Sequence, residues 1–77
     1  MEKQELIEKL KNSYPEIIVR ADLNKMEPRI VSSGRMANED SQGTGPDGLF
    51  YIGRRACYTR ENFLAWLEKR ISFPEKR

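Results

Sequence analysis

Between residues 49 and 70 the apolar side chains change their spacing in mid-stretch, and this constrains the fold more than any other part of the chain. They first alternate, as Phe50 and Ile52 and then Ala56 and Tyr58, on either side of Gly53-Arg54-Arg55, which reads as two strands around a basic tip. Beyond Thr59, a residue suited to cap a helix, they recur as Phe63, Leu64, Trp66 and Leu67 at helical spacing. A hairpin feeding a capped helix is therefore expected. Lys69 and Arg70 complement the negative end of that helix, and Pro74 stops it.

Two hairpin registers are open. A two-residue loop, Gly53-Arg54, suits a type II′ turn but sets Ile52 opposite Arg55. A three-residue loop, Gly53-Arg54-Arg55, sets Ile52 opposite Ala56 and Phe50 opposite Tyr58, gathering four apolar side chains on one buried face. The second register is the expectation, with both arginines at the tip and Cys57 on the outer face.

The 77 residues suffice for one small domain, and a chain of this size buries only roughly 60% of its unfolded surface. Upstream of the hairpin, Leu6, Ile7 and Leu10 form a helical stripe over residues 2–13, which Pro15 ends. Ile17-Ile18-Val19 is a short extended segment leading to the core. Residues 20–26 suit a two-turn helix that stops before Pro28. Ser32 then caps another, with Met36 and Ala37 inward, running to Ser41 and closed by Gly43. Two short helices with a tight connection make a helix-turn-helix candidate. Gly43-Thr44-Gly45-Pro46-Asp47-Gly48 matches the letters G-x-G-x-x-G, yet it follows a helix and precedes a strand. A phosphate-cradling loop has the opposite order, so this is a turn.

The chemistry of catalysis is largely missing. There is no histidine, the commonest general base, and one cysteine builds neither a zinc site nor an internal disulfide. Glu39 and Asp40 are neighbours on a helix and point in different directions, so they make no acid/base pair. No enzyme, cofactor, metal or small-molecule substrate is expected. No apolar run approaches the roughly 20 residues of a membrane span, and the charged N-terminal stretch is unlike a signal peptide, so a cytoplasmic protein is expected. The net charge of +2 is small, but its distribution is uneven. Residues 1–19 carry three Lys against four Glu, residues 20–40 carry four charges of each sign, and residues 41–77 carry seven basic against four acidic. The positive charge sits with the hairpin and the last helix.

Residues 52–68, Ile-Gly-Arg-Arg-Ala-Cys-Tyr-Thr-Arg-Glu-Asn-Phe-Leu-Ala-Trp-Leu-Glu, resemble the hairpin-to-helix signature of small excisionase-like winged helix-turn-helix proteins of the MerR-like group. Met36-Ala37-Asn38 and residues 40–46, Asp-Ser-Gln-Gly-Thr-Gly-Pro, resemble the end of that family's second helix and its turn into the wing. The likeness spans residues 18–70. It implies an α+β fold, a small winged helix-turn-helix with a two-stranded β-hairpin wing and flanking helices. Residues 1–17 would form an N-terminal helix and extension, and residues 71–77 a flexible tail. It further implies sequence-specific, non-catalytic binding of double-stranded DNA, as an excisionase of a phage or integrative element that bends DNA and binds cooperatively with an integrase. The alternative output is a small transcription regulator of a mobile element.

Carried onto this chain, the second helix exposes Ser33, Arg35, Asn38 and Gln42, and the wing exposes Arg54 and Arg55. Asn and Gln pair with adenine, and Arg with guanine or phosphate. Many relatives carry an apolar or aromatic residue where this chain has Glu39, and some a basic one where it has Asp40. Carboxylates repel phosphate, so either both turn away from the duplex or the wing dominates. With about four cations on phosphates the log–log salt slope is about −3.6, which is weak for a monomer and favours self-association on DNA or a recombinase alongside. The rival class is a winged protein-interaction module without DNA affinity.

Overall fold

The computed structural model describes residues 2–27 and 29–74. The first apolar stripe forms helix α1, Lys3–Lys11, whose Leu10 packs against the core. Its last carbonyl and those of the segment after it are served from far along the chain. The Arg60 guanidinium donates to Lys11 O and Tyr14 O, and the Arg60 N–H donates to Glu16 O at 2.8 Å. Pro15 and the extended residues after it lead into strand β1, Ile17–Val19, and then a 3-10 helix, Arg20–Lys25. Pro28, expected to block that segment, lies outside the described residues.

Helix α2, Ser33–Ser41, starts where its cap directs, for the Ser32 hydroxyl accepts from Arg35 N–H at 3.0 Å. It ends at Gly43, whose φ of +75° a side chain would disfavour. Strand β2, Phe50–Ile52, strand β3, Arg55–Thr59, and helix α3, Arg60–Glu68, complete the chain. Thr59 caps α3 by accepting from Asn62 N–H. Residues 71–74 follow it without regular structure, and the expected mobile tail beyond them, residues 75–77, lies outside the described residues.

Among the described residues the molecule is a small α+β fold of three α-helices and one three-stranded antiparallel sheet, ordered β1-β3-β2. The sheet exceeds the expected two-stranded hairpin. Residues 17–19 pair with β3, setting Ile18 opposite Tyr58, and both side chains are completely buried. Together with Leu23, Met36 and Phe63 they form the centre of the core. Tyr14 meets Phe63 edge-on at 5.0 Å between ring centroids.

The expected three-residue hairpin loop is corrected. Ile52 pairs with Arg55, Tyr51 with Ala56 and Phe50 with Cys57, so the loop is Gly53-Arg54 and Arg55 already belongs to β3. Gly53 has φ +64° and Arg54 does not take positive φ, the pattern a type II′ turn requires. Turn chemistry therefore outweighs the gathering of apolar side chains. A one-residue slip exchanges the faces. Phe50 and Ile52 lie on the outer side with Cys57 and Arg55, and Ile52 is 60% exposed instead of buried. Cys57, expected as an outward bystander, is fully buried in the central strand between Val19 and Phe50 on its two neighbours.

No helix among the described residues is long and apolar enough to cross a membrane.

Candidate nucleic-acid interface

At 3.6 residues per turn, Arg35, Asn38 and Gln42 fall within one arc of α2. All three are exposed, as are Gly34 and Ser41 beside them, whereas Met36 on the other side is fully buried. Ser33 does not share that face. It lies about 160° round the helix from Arg35, and its polar groups are taken by the 3-10 helix. Asn24 Oδ1 accepts from Ser33 N–H at 3.0 Å and Asn24 Nδ2 donates to Ser33 Oγ at 2.9 Å. Of the four helix residues singled out from the sequence, the structure brings three together and uses the fourth to fasten the helix start.

The two carboxylates are both engaged within the protein. The Asp40 side chain is 7% exposed. Its Oδ2 accepts from the Tyr58 hydroxyl at 2.5 Å and from Arg20 Nη1 at 2.8 Å, joining the end of α2 to β3 and to the 3-10 helix. Burial, and then the bond to Asp40, pushes the Tyr58 hydroxyl far above its ordinary ionisation range. Gly45 makes room for this arrangement, since a Cβ there would stand 2.1 Å from Asp40 Oδ1. Sequence reasoning missed Arg20, Tyr58 and Gly45 in this role, because nothing within four residues of any of them announces the partner.

Glu39 sits at the margin of the exposed arc. Its Oε1 accepts from the Thr44 hydroxyl at 2.7 Å and lies 3.7 Å from Arg70 Nη2, while Oε2 meets Arg35 Nε at 3.4 Å. The Thr44 hydroxyl, followed by Arg35 and Arg70, holds the Glu39 carboxyl below the usual glutamate range against the opposing effect of burial. Arg70 in turn lies 3.9 Å from the centre of the Trp66 ring, and Trp66 Nε1 donates to Thr44 O at 2.7 Å. The turn after α2 is thus braced against the end of α3.

The second basic element is the hairpin end. Arg54 occupies the turn and Arg55 the first position of β3, and both are exposed. No group of three His, Cys, Asp or Glu side chains among the described residues is placed to hold a metal ion. The chain matches no protein-family model, no curated protein and no solved structure in the comparisons made with each.

Proposed function

We propose that this chain is a small winged helix-turn-helix protein that binds double-stranded DNA without catalysis, with α2 as the recognition helix and the β2–β3 hairpin as the wing. The observation that carries the reading is the division of α2. Arg35, Asn38 and Gln42 lie on its outward arc, while Asp40 is consumed by Arg20 and Tyr58 and Glu39 by Thr44. The polar outward side chains suit base edges, and Arg54 and Arg55 suit phosphate. The biological role that fits is that of an excisionase of a phage or integrative element, bending DNA beside an integrase and associating with further copies on the DNA; control of transcription in a mobile element uses the same contacts. Such a protein works in the cytoplasm, on the nucleoid.

Fluorescence anisotropy with a labelled 20-base-pair duplex tests the reading. The wild type binds with a log–log salt slope of about −3.6, and Arg54→Ala together with Arg55→Ala flattens it by about 1.8. No binding at 50 mM salt would end the proposal.

A second reading, a protein-interaction module, is favoured by the outer sheet face, where Ile17 is 43% and Ile52 60% exposed. NMR titration with a duplex separates the two. DNA binding shifts the amides of residues 34–42 and 53–55, and the interaction module leaves them in place.

A further inference from the structure

Glu39 stands where a recognition surface ought to be free of negative charge, and its surroundings are built to keep it charged. Thr44 grips one carboxylate oxygen from the turn after α2, by its hydroxyl to Oε1, while the Thr44 N–H and the same hydroxyl also bond Glu39 O. The carboxylate is thereby fixed from behind. In front of it stand two guanidiniums, Arg35 Nε at 3.4 Å and Arg70 Nη2 at 3.7 Å, with side chains 56% and 36% exposed. These two pairs are long and wet. The Arg35 pair also runs in the less favourable order for a helix, with the cation N-terminal to the anion. The Arg35 pair is not a strong fastening, so a phosphate can replace Glu39 there, whereas Arg70 is also held over the Trp66 ring and donates to Trp66 O and Thr44 O. Arg35 is held by Nε alone, and its terminal nitrogens make no hydrogen bond among the described residues. Those are the nitrogens that an end-on pairing with guanine uses.

From this geometry we infer that Glu39 is an internal stand-in for phosphate: it occupies Arg35 and Arg70, lowers attraction to arbitrary DNA, and aims Arg35 outward to read a base. The inference rests on the DNA-binding reading above and makes Glu39 a positioning residue. A surface with loose arginines binds any duplex by counterion release. A surface whose arginines, Arg35 on α2 and Arg70 just past α3, are already paired surrenders much of that sequence-independent attraction and depends more on bases.

The test is anisotropy with a random-sequence 20-base-pair duplex between 50 and 200 mM salt, using the whole chain. Glu39→Gln keeps an oxygen for Thr44 and removes the charge. The variant is expected to bind about threefold to tenfold more tightly at 50 mM, with a salt slope steeper by about 0.9 for the release of Arg35. Adding Arg35→Ala to it removes about 0.9 of that slope again. In the wild-type background, Arg35→Ala is expected to flatten the slope less than half as much as Arg54→Ala does, and this comparison decides the matter if the Glu39 variant does not fold. Equal affinity and slope in wild type and Glu39→Gln, or equal flattening by the Arg35 and Arg54 substitutions, overturns the inference while DNA binding stands. Absence of wild-type binding to any duplex removes the DNA reading itself, and the inference with it.

Discussion

Helix α2 and the β2–β3 hairpin carry the exposed side chains on which the proposed function rests, and they are held in place by different means. Helix α2 is fastened at both ends by side chains distant in sequence. Asn24 holds its first residue, and Arg20 and Tyr58 hold Asp40 near its last turn. The hairpin end is set by its own turn, where Gly53 at φ +64° supplies the geometry and a Cβ would meet nothing within 4 Å. A helix that must present side chains at fixed angles gains from distant anchors, because its orientation is then the orientation of the core. A hairpin tip that met phosphate, as the proposed function has it, would need only charge and reach. The acidic pair, which looks in the sequence like a defect of the helix, is in part the means of its orientation.

The comparison predicts unequal responses to mutation. Asp40→Ala leaves the Tyr58 hydroxyl and the Arg20 guanidinium without their shared acceptor in a region almost closed to water. Removing one partner of such a pair costs about 3 kcal/mol. Against a total stability of roughly 4 to 12 kcal/mol for a chain of this size, that lowers the melting temperature by about 12 °C or more. Circular dichroism melting checks it, and a shift of under 3 °C would mean that α2 is not anchored there. Gly53→Ala acts only through the backbone, costing roughly 1 to 2 kcal/mol. Its amide shift changes should remain within residues 50–57 in an NMR spectrum. Their spread into α2 would show that the two regions are not independent.

The parts of this fold legible in the sequence are those decided within a turn or two of chain. Ser32 and Thr59 cap the helices that follow them, Gly43 ends α2, the apolar stripe of α3 is buried, and Leu10 of the α1 stripe packs against the core. The hairpin register was also local information, but two local arguments conflicted. The type II′ preference of Gly53 prevailed because Ile52 sits beyond the edge of the core and has no burial to lose. What was not legible spans longer separations. Ile18 finds Tyr58, and Tyr58 finds Asp40, only after the chain has returned upon itself. For the candidate site the consequence is specific. The outward set Arg35, Asn38 and Gln42 follows from helical spacing, whereas the inward commitment of Ser33 and Asp40 depends on partners from other elements.

The smallest expected effects are those of pH, and they separate the inner tie of α2 from its outer one. Tyr58 and Tyr14 both have hydroxyls whose ionisation is raised in the folded protein, Tyr58 by burial and then Asp40, Tyr14 by burial. An unfolded tyrosine ionises near 10.0, so above that value the unfolded chain releases protons that the folded one retains. The stability these two hydroxyls contribute is therefore complete below pH 10 and falls as pH rises further. Tyr58→Phe should make that alkaline decline shallower without abolishing it, since Tyr14 remains. Glu39 has the opposite sign. Its folded carboxyl is lowered from 4.5, so the stability it contributes is present above that value and is lost as pH falls below it. The group is near solvent and its pairs are long, so Glu39→Gln should flatten the acid limb only slightly and leave the alkaline limb alone. Urea midpoints measured from pH 3 to 11 for the wild type and both variants check this assignment. An alkaline limb unchanged by Tyr58→Phe would place the buried tie elsewhere, whereas an acid limb unchanged by Glu39→Gln would mean that the Thr44 hydroxyl and the two arginines around the Glu39 carboxylate contribute nothing to holding the helix.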